Sequence, residues 1–186
     1  MHDSNFPCAR EVKMDTNVLN FVKKLNLNEN EKVLEVGSLN INGTVRSVIK
    51  NKNYIGIDAV AGNGVDVVMD LFDIDIKFEV GSFDIVVSCE LLEHVEDWFG
   101  AIQKMWKMLR PQGQLVLTTR RPGFGYHAYP NDFWRFTTSD LKKAFKKQYC
   151  LIEDLDNFGI GCLVIKTTES IDNNKFSIDS FIKPYP

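Results

Sequence analysis

Three carboxylates stand at or near the ends of short apolar runs: Glu35 in "KVLEVGS", Asp58 in "YIGID" and Asp70 in "VDVVMDL". Gly37, just past the first run, allows a sharp turn that brings backbone N–H groups close to a ligand. Asp58 follows Gly37 by about twenty residues, the interval at which a carboxylate reaches ribose hydroxyls in nucleotide-binding α/β folds. Asp70 can accept from an adenine amino group. Taken singly, Glu35 is equally a solvated strand end and Asp58 a turn former. The ordered series points to one adenosine-like ligand.

A second group lies in "RRPGFGYHAYPNDFWRF", residues 120–136. His127 is a candidate general base because its ordinary pKa is close to neutrality. Asp132 could orient it or act as base itself, and Arg135 could clamp a carboxylate or phosphate. Tyr126, Tyr129, Phe133 and Trp134 supply flat surfaces for a ring or sugar. The same loop reads equally as an aromatic cover packed on the sheet, with Asp132 and Arg135 in a structural ion pair. Cys89 reads as a small buried apolar side chain rather than a nucleophile.

Positioning these groups requires strands that end beneath them. The runs at 32–36, 54–57, 65–69, 83–88 and 114–119 are five candidate strands, apolar on both faces as in a covered parallel sheet. Helical spacing of Val18, Phe21, Val22 and Leu25 predicts a first helix capped by Asp15 or Thr16. "NGTVRSVIKN" (42–51) is long enough for a second. Another carries Trp98, Ile102, Met105 and Leu109 on one side and is stopped by "RPQG". Thr137 and Asp140 stand at capping-box spacing before Leu141, Ala144 and Phe145. The runs at 149–155 and 162–168 predict a terminal hairpin with Gly159 and Gly161 in its turn.

Strands alternating with helices before a hairpin give an α/β fold: a doubly wound, mostly parallel, seven-stranded Rossmann-like sheet with a C-terminal antiparallel hairpin. Its ligand belongs beyond the carboxyl ends of the strands. The 186 residues are expected to form a single domain: an N-terminal arm and helix (1–31), a core (32–168) and a tail (169–186).

With 44% hydrophobic residues, 25% charged residues and a net charge of −3, the composition is that of a soluble globular protein without the basic footprint of a nucleic-acid binder. Cys8, Cys89, Cys150 and Cys162 form no CxxC pair and have no histidine at zinc spacing. They predict reduced thiols in the cytoplasm and no metal site. No run is apolar enough to span a membrane, and the polar start is not a signal peptide.

"FDIVVSCELLEHVEDW", supported by "LRPQGQLVL", resembles the class I S-adenosylmethionine-dependent methyltransferases (type 11-like) over residues 32–168. The resemblance implies that Glu35 and Gly37 flank the methionine part of the cofactor, with Ser38 at the turn. It places Asp58 on the ribose and Asp70 with Leu71 on the adenine. Ser88 would offer its carbonyl near the cofactor's amino group, and His94 would sit over the cofactor. "HAYPNDFWRFTTSDL" is similar to members that modify sugars. The implied reaction is O- or N-methylation of a small-molecule or glycan acceptor, nucleic acid being disfavoured by charge. The alternative is a catalytically inert partner subunit that binds the same cofactor. An NAD-dependent oxidoreductase is disfavoured because Leu39 and Ile41 occupy the turn where a pyrophosphate needs glycines. Asn40, Asn42 and Gly43 can still take left-handed backbone there.

Overall fold

Val33, Leu34, Val36, Ile85, Val86 and Val87 are all buried, so their strands need cover on both faces. The computed structural model describes residues 15–25, 27–127 and 131–167. It places these strands, β1 (Val33–Val36) and β4 (Phe83–Cys89), side by side at the centre of a sheet. The others are β2 (Tyr54–Asp58), β3 (Val67–Val68), β5 (Leu109–Arg120), β6 (Tyr149–Asp154) and β7 (Gly159–Ile165). Their order is β3-β2-β1-β4-β5-β7-β6. The first five run parallel, while β7 pairs antiparallel with both β5 and β6. The winding reverses between β1 and β4, which opens a crevice at their carboxyl ends.

Alternation along the strands sorts the core into two layers. Leu34, Val36 and Val86 face a cluster with Ile102, Met105, Phe136 and Leu141. Val33, Ile85, Val87 and Val116 face Phe21 and Val22. α1 (Thr16–Val22) covers this second face and is capped by the Asp15 side chain, which accepts from Asn17 N. α1 fits because Gly161 in β7 has no side chain; a Cβ there would stand 2.8 Å from the Phe21 ring. A short helix, α2 (Ile74–Lys77), and α3 (Trp98–Met108) cover the first face with α4 (Thr138–Ala144). α3 buries Trp98, Ala101, Ile102, Met105 and Met108, a stripe at three- and four-residue spacing. Each large, fully buried side chain of this kind stabilises by roughly 1.5–3 kcal/mol. The capping box of Thr137 and Asp140 is formed, and Leu141, Ala144 and Phe145 are buried as expected.

Four expectations about elements change. Residues 42–51 make only a single 3-10 turn, Val45–Ser47. β-Branched Thr44, Val45, Val48 and Ile49 disfavour a helix, and Ser47 Oγ donates to the Thr44 carbonyl at 2.8 Å. β3 shrinks to two residues because Asp66 takes the Gly56 N–H on its side chain at 2.6 Å, just before the ladder starts. Leu109 begins β5 instead of ending α3, and "RPQG" bulges within that strand, with Gln112 at φ +65°. Gly159 and Gly161 lie in β7 paired with Arg120 and Thr118, so the hairpin turn falls at 155–158. Asp156 holds that turn by accepting from Phe158 N and Gly159 N. Cys8, Tyr129, the arm 1–14 and the tail from 168 onward lie outside the described residues. Among the described residues no helix is long and apolar enough to cross a membrane.

Candidate active site

The crevice is a cleft of about 1030 Å³ over the carboxyl ends of β1, β2, β4 and β5. Its first wall is the turn after β1. Gly37 has φ +82°, and the N–H groups of Gly37 and Ser38 both donate to the Ile57 carbonyl, at 2.9 and 3.0 Å. Asn40 then fixes the departing chain: its N–H donates to the Asn63 carbonyl and its Oδ1 accepts from Gly43 N, both at 2.8 Å. The glycines absent from this turn are found beneath it. A Cβ on Gly56 would stand 2.6 Å from the Gly64 carbonyl oxygen and 2.7 Å from Ser38; one on Gly64 would stand 2.5 Å from the Ser38 carbonyl oxygen. Gly62 leaves room for the Leu39 side chain in the same way. "AGNG" after β2 was the available signal.

Glu35 is buried and accepts from the Tyr54 hydroxyl at 2.8 Å, with Arg46 Nε 4.0 Å away. Burial pushes its pKa up to about 7, although Tyr54 and Arg46 pull the other way. Asp58 is half-buried and braces both loops, accepting from Leu39 N at 3.2 Å and Val60 N at 3.0 Å. Asp70 caps the 3-10 turn Leu71–Asp73 through Phe72 N at 2.8 Å. Each of these two carboxylates keeps acceptor sites for a ligand, since an ionised carboxylate has about four. Glu35, Gly37, Ser38, Asp58, Asp70, Leu71 and His94 all line the cleft. Ser88 does not; its neighbour Cys89 does, and burial raises that thiol's pKa and keeps it unreactive.

The far wall adds groups that sequence spacing alone does not single out. Glu90 has φ +54°, unusual outside glycine, and its carboxylate pairs with Arg120 and accepts from Thr118 Oγ1. Burial, then the Glu93 charge, pushes Glu90 to a pKa of about 7. Glu93 is wholly buried, and burial raises its pKa as well. Its Oε2 accepts from Thr119 Oγ1 at 2.7 Å, and its carbonyl takes the N–H groups of Phe133 and Trp134. The visible signal was the pair of carboxylates three residues apart in "CELLEH".

The aromatic loop folds back on this wall. Trp134 Nε1 donates to the Val95 carbonyl at 3.0 Å, and Phe133 reaches the cleft. Arg135 is buried, pairs with Asp132 and donates to the carbonyls of Phe124 and Gly125 at 3.2 and 2.8 Å. Neither Asp132 nor Arg135 lines the cleft. Their geometry is that of a loop brace. His127 does line it. Its backbone N–H donates to Asp132 Oδ2 at 2.8 Å, and its Nδ1 lies 3.3 Å from the same oxygen. Burial and the neighbouring His94 lower its pKa, against the pull of Asp132, so the ring is neutral near pH 7. The His94 and His127 rings meet edge to face at 4.8 Å.

A family model described as "Methyltransferase domain" matches residues 9–154. No curated protein matches the chain. Many solved structures share the fold. The Burkholderia thailandensis 1,6-didemethyltoxoflavin-N1-methyltransferase, solved with 1,6-didemethyltoxoflavin and S-adenosylhomocysteine, is 12% identical with a TM-score of 0.65; the match covers 82% of this chain and 79% of that one. A chain from the complex of the Haloferax volcanii Trm112 activator with its methyltransferase is 13% identical, TM-score 0.62, covering 83% and 90%. Phosphoethanolamine N-methyltransferase 2 of Haemonchus contortus, solved with S-adenosyl-L-methionine, is 14% identical, TM-score 0.62; the match covers 81% of this chain and 52% of that one.

Proposed function

The chain belongs to the methyltransferase-domain family and has the class I, S-adenosylmethionine-dependent fold; from that premise we propose that it methylates a small-molecule or sugar acceptor at oxygen or nitrogen. The observation that carries this reading is the acidic half of the cleft, where Glu35, Asp58 and Asp70 follow one another along β1, β2 and the turn after β3. That half suits a ligand bearing a sulfonium and an ammonium, and Leu39 and Ile41 line the cleft at the turn where a pyrophosphate site carries glycines.

S-adenosylmethionine supplies an already reactive methyl group, so the protein's share is alignment and the exclusion of water. Alignment of this kind is worth on the order of 7–11 kcal/mol of barrier. Glu35 and the Gly37–Ser38 turn would hold the amino-acid end, Asp58 the ribose, and Asp70 with Leu71 the adenine. Leu91 packs closely on Gly37, its nearest methyl 3.2 Å from where a Cβ would stand, and both residues line the cleft. Acceptor activation falls to His94 and His127 on the opposite wall, with Glu93 buried beside them, where His127 presents a neutral imidazole. Arg135 and Asp132 act through His127 by holding its loop.

Calorimetry and thermal shifts with S-adenosylmethionine, S-adenosylhomocysteine and NAD test the reading. The two adenosyl ligands should raise the melting temperature and NAD should not. Stabilisation by NAD alone would overturn it. Turnover of radiolabelled donor with panels of hydroxyl- and amine-bearing acceptors then separates an enzyme from an inert binding subunit.

A further inference from the structure

Glu93, His94 and His127 each offer one ligand atom, and these atoms lie within 4.8 Å of one another, with the two histidines lining the cleft and Glu93 wholly buried. We infer that these three side chains bind a divalent first-row transition-metal ion. The expectation of no metal rested on cysteine spacing, and this group contains no cysteine.

Glu93 and His94 each have one polar atom held by a neighbour and another left over, the arrangement by which surrounding residues orient metal ligands. Glu93 Oε2 is held by Thr119 Oγ1, while its Oε1 is buried and takes no hydrogen bond from any described residue. A buried carboxylate oxygen without a partner is costly, and a cation would offset that cost. His94 Nδ1 contacts the Asn131 carbonyl, which fixes the tautomer with the lone pair on Nε2. Asp132, anchored by Arg135, accepts from the His127 backbone N–H at 2.8 Å, and the His127 Nδ1, 3.3 Å from the same oxygen, takes part in no hydrogen bond with a described residue. The brace formed by Arg135 and Asp132 thereby gains a function: it sets the angle of a ligand.

Donors around a small divalent ion at about 2.1 Å lie roughly 3 to 3.5 Å apart, so the widest pair must close by roughly 1.3 to 1.8 Å. The His127 ring, with 37% of its side chain exposed, has room to move. Two imidazole nitrogens and one carboxylate oxygen on one side of an ion suit manganese, iron, cobalt or zinc and leave positions open. His94 and His127 line the cleft, so those positions face the acceptor. A bound cation lowers the pKa of a ligating hydroxyl. The acceptor class this site takes is therefore one with a hydroxyl or carboxylate oxygen that can ligate.

The test is titration of untagged, EDTA-treated protein with Co²⁺, followed by its visible absorption bands and by calorimetry, without methyl donor or acceptor. The expected result is saturable one-to-one binding with bands of mixed nitrogen and oxygen ligation, weakened more than about tenfold in His127→Ala and in Glu93→Gln. Circular dichroism checks the fold of both; if Glu93→Gln does not fold, His127→Ala decides alone. Absence of a saturable signal, or Co²⁺ affinity unchanged in the folded variants, overturns the inference. Because donor binding is read separately, failure of the metal site and failure of the methyltransferase reading remain distinguishable.

Discussion

The Tyr54 hydroxyl donates to Glu35 Oε2 at 2.8 Å, tying β2 to a carboxylate that burial brings close to half-protonated at neutral pH. The folded-state pKa of about 7 stands above the ordinary 4.5. Folded protein therefore retains a proton that unfolded protein loses. The stabilising share of this group is complete below pH 4.5 and is lost as pH rises to about 7. A cationic ligand has the opposite preference and favours the ionised form. Uptake of S-adenosylmethionine just below pH 7 should release a proton, and affinity should fall as pH is lowered further. Calorimetry in two buffers of different ionisation enthalpy measures the release. It should vanish in Glu35→Gln; release of the same size in that variant would assign it elsewhere.

The packing under the first turn makes a sharper prediction about glycine. Gly64 has φ +91°, and a Cβ there would lie 2.5 Å from the Ser38 carbonyl oxygen, a backbone atom that cannot swing away. Gly64→Ala should cost about 1–3 kcal/mol and lower the melting temperature by several degrees. It should also weaken S-adenosylhomocysteine binding by displacing Ser38. Gly125→Ala is the matched control, since nothing lies within 4 Å of its Cβ. Equal melting temperatures for the two variants would refute the account.

Arg135 separates a brace from a clamp. Its guanidinium is spent on Asp132 and on the carbonyls of Phe124, Gly125 and Trp134, and both side chains are almost wholly buried. Arg135→Ala strands the Asp132 carboxylate and should cost about 3–5 kcal/mol. Replacing both partners, as in Arg135→Met with Asp132→Leu, should recover part of that loss, because no unpaired charge is then buried. Urea unfolding of the single and double variants reads the difference. A substrate clamp would behave otherwise: stability unchanged and KM raised.

Local signals are legible in the sequence and tertiary ones are not. The covered strands, the Asp15 cap and the Thr137–Asp140 box depend on residues close in sequence, and all formed. Gly161 looked like a turn glycine because its reason for being glycine, the Phe21 ring, lies on another element. The stretch 42–51 has helical length, but its β-branched residues yield to packing of Val45 and Ile49 against the sheet. Glu90 and Glu93 stood inside the most recognisable segment of the chain. Their significance emerged only when β5 brought Thr118, Thr119 and Arg120 alongside them.

Asp58 has two possible duties, bracing and ribose binding, and a simple loss of affinity in Asp58→Ala would not separate them. Both of its oxygens already accept backbone N–H groups, from Leu39 and from Val60, so the variant also loosens the loop. The discriminating measurement compares S-adenosylhomocysteine with an analogue lacking the ribose 2′- and 3′-hydroxyls, in wild type and in Asp58→Ala. A hydrogen bond to a charged group contributes about 1.5–3 kcal/mol, so wild type should prefer the full ligand by roughly ten- to more than a hundredfold. Loop loosening weakens both ligands alike and cancels in the ratio, as in a double-mutant cycle. The preference should therefore collapse in Asp58→Ala. If it persists at the wild-type ratio, Asp58 braces the loop and another group reads the ribose.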